Sequence, residues 1–125
     1  MDAQRHINNG AIARLFEEGR AATHLRILGD DQDTRQTSMV LARLSIEFLR
    51  EGKYPGELEV CTGIANLGNT SLVHAHAAFQ NGACLALAEA VMVKRVDGRA
   101  APLSDRDRTR VSTLLIDKAL PTIGS

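Results

Sequence analysis

Hydrophobic residues follow a helical spacing in the first part of the chain and a strand spacing in the remainder. Over residues 9–28 the apolar positions fall three or four apart, the period of a helix with one buried face. These positions are Ile12, Leu15, Phe16, Gly19, Ala22 and Leu25 or Leu28. Asn8 or Asn9 suits the N-cap of this helix, and Gly29 suits its C-terminal stop. The pattern predicts one long helix at the start of the chain.

From residue 39 onward the apolar positions alternate with a period of two, which indicates half-buried strands. The strand-like runs cover residues 39–49, 58–64, 73–79 and 83–96. In the first run, one face is predicted to hold Val40, Ala42, Leu44, Ile46 and Phe48. Asn-Gly at 81–82 and Asp-Gly at 97–98 predict tight turns, and tight turns join antiparallel neighbours. The sequence therefore predicts a helix followed by at least four antiparallel strands.

The order of these elements predicts an α+β fold. An antiparallel sheet needs one face covered, and the first helix is the only long apolar helix in the pattern. We therefore expect the sheet to wrap around that helix. Residues 104–116 form a charged pattern with Ser104 as its cap, which predicts a C-terminal helix. Because 125 residues are the length of one domain, residues 1–125 are expected to form a single unit.

Charge and composition argue against several classes of function. The chain has 15 Lys plus Arg and 15 Asp plus Glu, so its formal net charge is zero. This balance argues against bulk binding to nucleic acid or to a membrane surface. No apolar run reaches the ~18 residues that a membrane span requires. Cys61 and Cys84 stand alone in apolar stretches, and we expect buried, reduced thiols in a cytoplasmic protein.

The first ten residues carry the densest set of chemically useful groups. Asp2, His6, Asn8 and Asn9 offer a carboxylate, an imidazole and two carboxamides directly ahead of the predicted helix. N–H groups at a helix start carry partial positive charge and can hold an anion or a developing oxyanion. A base beside such a site is the minimum equipment for acyl transfer or hydrolysis. The segment is therefore the leading candidate for catalysis.

A family resemblance is carried by the same segment and the helix after it. Its residues are Asp2-x-x-x-His6-x-Asn8-Asn9, then Ile12, Phe16, Glu17, Glu18 and Arg20. This spacing resembles the hotdog-fold thioesterases, most of all the branch of 4-hydroxybenzoyl-CoA thioesterases and acyl-ACP thioesterases. The resemblance implies a hotdog fold and hydrolysis of an acyl-CoA or acyl-carrier-protein thioester to free acid and thiol. It also implies no metal or redox cofactor, with coenzyme A entering only as part of the substrate.

The resemblance implies a role for each residue of the motif. Asp2 acts as general base or as nucleophile on the thioester, and the alternative is a solvated acid near a frayed terminus. His6 orients Asp2, bonds the substrate carbonyl or protonates the leaving thiolate, and the alternative is a histidine bonded to a backbone carbonyl. The backbone N–H of Asn9, with that of Gly10, polarises the carbonyl. Asn8 and Gly10 also belong to the expected substrate-binding set.

Three further groups of residues are candidates. The second carboxylate candidate is Glu17 or Glu18, because some hotdog thioesterases place the catalytic acid on the central helix. Glu17 is also assigned to substrate binding. The alternative is that both carboxylates belong to a solvated helix face. His74 and His76 lie two apart on one strand and suit either a metal or a hydrated or inter-subunit sheet face. Arg95, with four arginines that follow it, suits the phosphates of coenzyme A, and a solvated face is again the alternative.

Two expectations concern self-association and the start of the chain. Residues 83–93 are apolar on both strand faces apart from Glu89, which predicts contact with a second copy. The resemblance implies dimers with their sheets side by side, often assembled into tetramers, with substrate pockets between subunits. In the resembling family a strand precedes the motif, whereas here Met1 stands directly before Asp2. We therefore expect that the first strand is missing and that the chain is N-terminally short, with Met1 originally internal.

Two other functions stay open at this stage. One is a hydratase or dehydratase of the same fold that acts on enoyl-CoA, which would need a His-Asp pair supplied from another part of the helix. The other is a non-catalytic protein that binds acyl groups or serves in assembly. Thiol release from a panel of acyl-CoA substrates distinguishes the thioesterase from both.

Overall fold

The structure is a computed structural model that describes residues 6–7, 9–28 and 37–115. In chain order its elements are β1 (His6–Ile7), α1 (Asn9–Leu28), β2 (Thr37–Phe48), β3 (Gly52–Lys53), β4 (Glu59–Leu67), β5 (Ser71–Gln80), β6 (Ala83–Val96), β7 (Arg99–Ala100) and α2 (Asp105–Ser112). The predicted long helix and the four predicted strands are all present. Asp2 and Asn8 lie outside the described residues.

The main sheet is antiparallel and has five strands in the order β2-β6-β5-β4, with β7 paired to β6. Both predicted tight turns are present. Asn81 and Gly82 have φ values of 52° and 79°, and Asp97 and Gly98 have φ values of 51° and 81°. Positive φ at both central positions is the hairpin turn whose twist matches that of the flanking strands. These turns fix β5, β6 and β7 as consecutive antiparallel neighbours.

The sheet wraps around α1, which packs against β4 and β5. Near the start of the helix, one core cluster joins Ile12 and Phe16 to three alanines of β5 and β6, Ala78, Ala86 and Ala88. Near its end, a second cluster joins Ile27 to Ile64, Leu72 and Val111. Alanines in the sheet leave space for the large helix side chains. The predicted α+β hotdog fold is confirmed.

A two-residue strand precedes the helix. His6 pairs with Lys53 and Ile7 pairs with Gly52, so that β1 and β3 form a small antiparallel sheet apart from the main one. The sequence pattern predicted no strand ahead of the helix. A strand of two residues has no period to detect, and its partner lies far along the chain. The structure therefore adds a support for the segment that leads into α1.

A β-bulge in β2 moves its apolar residues between the two faces. The sequence pattern placed Val40 and Ala42 on the face shared by the later apolar residues of the strand. In the structure, the pairing with β6 shifts register between Leu41 and Arg43. A shift of one residue exchanges the faces, because side chains alternate along a strand. Met39 therefore packs into the core beneath the sheet, and the predicted position of Val40 is wrong.

The central position of β6 alters the expected assembly surface. Both edges of β6 are paired, and Leu85 and Leu87 are already buried within one chain. These two side chains are therefore not available to a second copy, and the prediction that residues 83–93 lie in the subunit contact region stays a prediction. The large exposed apolar side chains of the edge strand β2 and the residue after it are Val40, Leu41, Leu44, Phe48 and Leu49. β2 therefore presents an exposed apolar surface.

The C-terminal part of the described chain closes the far end of the helix. α2 is shorter than the predicted helix over 104–116, and Ser104 caps it, its hydroxyl accepting a hydrogen bond of 3.0 Å from the Asp107 N–H. Val111 of α2 is fully buried in the second core cluster. Both cysteines are free thiols, but Cys61 is exposed and Cys84 half-buried, so the expectation of two buried thiols is wrong.

Candidate active site

The start of α1 presents backbone N–H groups at the surface of the described chain. Asn9 and Gly10 are its first two residues, and both are exposed. The first N–H groups of a helix have no partner within the helix and carry partial positive charge. Immediately before them, β1 holds His6 and Ile7 against β3. The motif's backbone donors thus lie on a rigid element that faces solvent.

The first core cluster provides an apolar floor behind this helix start. Ile12 and Phe16 are almost fully buried one and two turns into α1. On the sheet side, Ile46 and Val60 are only partly buried and pack against the same cluster. Leu44 and Phe48 of β2 are 40% exposed, although they share the face of Ile46. An uncovered apolar surface therefore adjoins the helix start.

The two carboxylates of the helix do not face this floor. Glu17 and Glu18 are both exposed on α1. Glu17 follows Asn9 by eight residues, which places it about 12 Å farther along the helix axis. Its charge acts on Arg20, one turn later, where it opposes the lowering of the pKa of the guanidinium by burial. Within one chain, Glu17 therefore lies on the solvent-exposed surface of the helix, away from the backbone donors.

Arg95 lies at the other end of the sheet from the helix start. Ala86 of β6 belongs to the cluster around Ile12, and Arg95 follows it by nine residues on the same strand. Nine residues of strand span roughly 30 Å. The exposed guanidinium of Arg95 donates to the Gly98 carbonyl at 3.2 Å. Within one chain, Arg95 therefore lies far from the helix start, and its contact with the phosphates of coenzyme A stays a prediction.

His74 and His76 are buried beneath the helix. Each is only 3% exposed, so the expectation of a hydrated or inter-subunit sheet face is wrong. The ring of His76 stacks on Phe16 with centroids 5.0 Å apart, and the two imidazoles stack at 6.2 Å. Alternation put both side chains on one face, but it could not tell that α1 covers that face. The metal alternative finds no support either, since the described residues contain no group of three potential ligands.

A buried polar network surrounds His76. The Arg20 guanidinium lies 3.2 Å from His76 Nε2, and the Thr62 hydroxyl lies 2.9 Å from Nδ1. Arginine can only donate, so Nε2 must accept, and the proton of the neutral ring is on Nδ1, which donates to Thr62. Burial, then the charge of Arg20 and the neighbouring His74, lower the pKa of His76 from 6.5 to about 3. His76 is therefore a neutral structural group, paired with Arg20 and Thr62.

His74 is in a different position. Its Nδ1 atom is buried and has no hydrogen-bond partner. Burial first, then the charges of Arg20 and His24, lower its pKa from 6.5 to about 4. With Asp107, His24 and apolar neighbours it lines a small cavity at the C-terminal end of α1. This cavity has room for about one water molecule and lies far from the helix start, so it is not a substrate pocket.

Two buried polar residues were not predicted from the sequence. One is Arg20, in its role as the partner of His76, and the other is Gln80. Arg20 was noted for the family resemblance alone, and only the fold brings it to β5, 56 residues away. Gln80 carries no motif; it ends β5 and bonds the backbone of β3. The signal available for Gln80 was weak, namely a polar residue that ends an otherwise apolar strand.

An antiparallel sheet wrapped around one long helix defines a hotdog-type domain. The model of the thioesterase superfamily matches residues 4–86. This match covers more than half of the chain, so the chain belongs to the thioesterase superfamily. Thioester hydrolysis is the reaction for which this superfamily is named. No curated protein matches the sequence significantly.

Solved structures agree with this assignment. The chain is similar to a predicted thioesterase from Bacillus stearothermophilus, with 28% identity and a TM-score of 0.82 over 94% of this chain and 90% of that one. It is also similar to a thioesterase from Thermus thermophilus complexed with coenzyme A and Zn, with 30% identity and a TM-score of 0.78 over 91% of this chain and 84% of that one. A thioesterase-superfamily protein from Jannaschia sp., 18% identical with a TM-score of 0.81, shares the fold over 94% of this chain and 86% of its own.

Neither helix in residues 9–28 and 105–112 is both long and apolar enough to cross a membrane.

Proposed function

We propose that the protein hydrolyses acyl-CoA thioesters to the free acid and coenzyme A. The observation that carries the proposal is the exposed start of α1, with Asn9 and Gly10 directly after a strand-held segment, in a chain of the thioesterase superfamily. The thiol is proposed to be coenzyme A because a relative 30% identical to this chain was solved with coenzyme A bound. An acyl carrier protein is the alternative thiol.

In the proposed mechanism, the thioester carbonyl binds at the helix start. The backbone N–H of Asn9, with that of Gly10, stabilises the negative charge that develops on the carbonyl oxygen, each well-placed donor supplying on the order of 3 kcal/mol. In one route, Asp2 removes a proton from water as the water oxygen bonds to the carbonyl carbon, and the C–S bond then breaks. In the other, the Asp2 carboxylate bonds to the carbonyl carbon, the C–S bond breaks to leave a mixed anhydride, and water then opens that anhydride. In both routes the thiolate takes up a proton, which we propose that His6 supplies.

The remaining assignments concern substrate binding. Asn8 and Gly10 are proposed to contact the acyl thioester at the helix start, and no metal or redox cofactor takes part. Glu17 and Arg95 are too far from Asn9 within one chain to contact the thioester itself. We therefore propose for Arg95 a contact with the phosphates of a coenzyme A held in the site of another copy, and for Glu17 a contact at the rim of the pocket.

Self-association is part of the proposal. Among the described residues β2 lies at an edge of the main sheet, and its exposed apolar side chains favour contact with a second copy. Leu44 and Phe48 adjoin the floor behind the helix start, so a copy seated on β2 would close the side of the acyl pocket. We propose a dimer or tetramer in the cytoplasm, without nucleic acid or membrane partners.

The test is thiol release from a panel of acyl-CoA substrates, followed with a thiol reagent. Asp2→Asn keeps the shape and removes the charge, and we expect kcat to fall by about 100-fold or more, as for loss of a general base. Asp97→Asn is the matched control, because Asp97 lies in the β6–β7 turn at a positive φ that asparagine tolerates. Glu17→Gln and Glu18→Gln test the helix carboxylates in the same assay.

The outcomes separate the candidate functions. Near-normal hydrolysis by Asp2→Asn would remove Asp2 as the catalytic acid, and a loss in Glu17→Gln or Glu18→Gln would move the role to the helix. Binding of acyl-CoA without thiol release would indicate an acyl-binding protein. Hydration of an enoyl-CoA without thiol release would indicate a hydratase.

A further inference from the structure

Gln80, the last residue of β5, holds the backbone of β3. Its side-chain oxygen accepts a hydrogen bond of 2.9 Å from the Lys53 N–H, and its side-chain nitrogen donates one of 2.8 Å to the Lys53 carbonyl. Gln80 is 9% exposed. A buried amide that bonds both backbone groups of one residue mimics a neighbouring strand. The main sheet is thereby joined to the small sheet through this side chain.

The other edge of β3 holds the segment that leads into the candidate site. Lys53 pairs with His6, and Gly52 pairs with Ile7. Adjacent residues of a strand direct their backbone groups to opposite edges, so the use of Lys53 by Gln80 leaves Gly52 to face β1. β3 therefore lies between the Gln80 amide and β1. Any shift of Lys53 is transmitted to His6 and Ile7, directly ahead of Asn9.

The surroundings of the Gln80 amide leave little room for another arrangement. A Cβ atom on Gly56 would collide with the Gln80 side-chain nitrogen and would lie 2.9 Å from the Lys53 carbonyl oxygen. The chain thus places a residue without a side chain where the amide and the backbone meet. This close approach is a second, separate requirement for the same contact, and it provides a second route for testing it.

We propose that Gln80 is a positioning residue for the thioesterase site, a proposal that rests on the hydrolysis proposed above. It holds β3, and through β3 it holds β1, at the place where the motif segment enters α1. Gln80 contacts neither substrate nor reacting atoms. Its effect is to fix the segment that carries the catalytic groups relative to the Asn9 and Gly10 donors. Because those groups must align with the carbonyl, a loose β1 lowers the rate of the chemical step more than it weakens substrate binding.

The first experiment compares Gln80→Met with Ser104→Ala. Gln80→Met keeps a side chain of similar length and removes both bonds to Lys53, whereas Ser104→Ala removes the cap of α2 at a distant place. We expect kcat of Gln80→Met to fall ~10- to 100-fold, the scale of a misplaced reacting group. KM should stay within about threefold, since only alignment is lost. Gly56→Ala should lower kcat in the same direction, although Gln80 is still present.

The second experiment uses Gln80→Glu, whose rescue depends on pH. The ionised carboxylate can accept from the Lys53 N–H but repels the Lys53 carbonyl, so kcat at pH 7 should be low. Protonation restores the donor, and burial raises the pKa of such a carboxyl above its usual 4.3. The ratio of kcat for Gln80→Glu to kcat for the unaltered protein should therefore rise as the pH falls from 7 toward 5. A general loss of stability would give a ratio that is flat or falls.

A third measurement is independent of activity. Amide hydrogen exchange should show loss of protection at Lys53 and in β1 for Gln80→Met, with protection kept there in Ser104→Ala. If the unaltered protein hydrolyses no thioester, the proposed function fails, while exchange still decides whether Gln80 holds β1. Unchanged protection in Gln80→Met would overturn the proposal. A kcat loss in Ser104→Ala as large as that in Gln80→Met would also overturn it.

Discussion

Two neutral histidines buried against an arginine should make this protein sensitive to mild acid. His74 and His76 are each 3% exposed, and their pKa values are lowered from 6.5 to about 4 and about 3, first by burial and then by Arg20 and a neighbouring histidine. Protonation of His76 would also place a proton on Nε2, where Arg20 now donates. The perturbation is therefore a change of pH from 7 to 5.

The sign and the size follow from linkage. Below pH 6.5 the unfolded chain binds protons at these histidines, whereas the folded chain does not until the pH approaches 4 and 3. Stability is therefore greatest above pH 6.5 and falls as the pH drops from there toward the folded pKa values. At pH 5 each histidine lowers the free energy of unfolding by about 2 kcal/mol relative to neutral pH. The two together, about 4 kcal/mol, are a large share of the 5–15 kcal/mol typical of a domain.

The assay is urea unfolding at pH 7, 6 and 5 for the unaltered protein, His74→Leu and His76→Leu. Since His74 Nδ1 has no partner, His74→Leu loses no hydrogen bond there and should stay within about 1 kcal/mol of the unaltered protein at pH 7. At pH 5, His74→Leu should have a free energy of unfolding about 2 kcal/mol higher than that of the unaltered protein. His76→Leu leaves Arg20 and Thr62 without this partner and should cost about 1–3 kcal/mol already at pH 7.

The result that would refute this reasoning is a free energy of unfolding that hardly changes between pH 7 and pH 5. Equal pH dependence in His74→Leu and the unaltered protein would show that His74 is not the titrating group. In that case another contact must stabilise the protonated imidazole of His74 and offset the effects of burial and Arg20 on its pKa.

Two other predictions concern packing and assembly. Gly19→Ala should destabilise by about 1 kcal/mol or more, because overpacking against the Thr62 side chain exceeds the ~0.5–1 kcal/mol that alanine gains over glycine in a helix. In a Thr62→Ala background the Gly19→Ala change should become neutral or stabilising. Urea unfolding of the unaltered protein, the two single variants and the double variant tests this. Destabilisation of equal size in both backgrounds would show that the Thr62 side chain is not what an alanine at position 19 meets. Leu44→Glu with Phe48→Glu should shift the sedimenting species toward the monomer if β2 is the subunit contact, while the exposed Thr109→Glu should leave it unchanged. An assembly unaffected by the β2 changes would place the contact elsewhere.

Local signals in the chain were sufficient for the helix, the long strands and the turns. The helix from Asn9 follows from apolar spacing and a capping residue, both of which act within a few positions. The Asn81-Gly82 and Asp97-Gly98 turns follow from the positive φ that each position requires. The β2 bulge was missed because alternation has no marker for an inserted residue, and one such residue exchanged the faces of Met39 and Val40.

The candidate site, like the fold, was predicted only in part from the sequence. The motif around His6, Asn9 and Gly10 is contiguous, so the sequence alone located the helix start and its backbone donors. The distance of Arg95 from this motif could not be predicted, because separation along a strand becomes distance only when the fold sets which end of the sheet meets the helix, and its contact with the phosphates of coenzyme A stays a prediction. The roles of Asp2 and Asn8 stay predictions.

What the sequence by itself determined is everything that periodicity, capping and turn chemistry encode, together with the motif that leads into α1. Only the tertiary structure decided which sheet face α1 covers, and hence that His74 and His76 are buried and neutral. It also decided that Gln80 reaches Lys53 and that β3 holds β1. These contacts join residues far apart in the chain, so no local preference specifies them. They arise when the sheet closes around the helix and each buried polar group must find a partner.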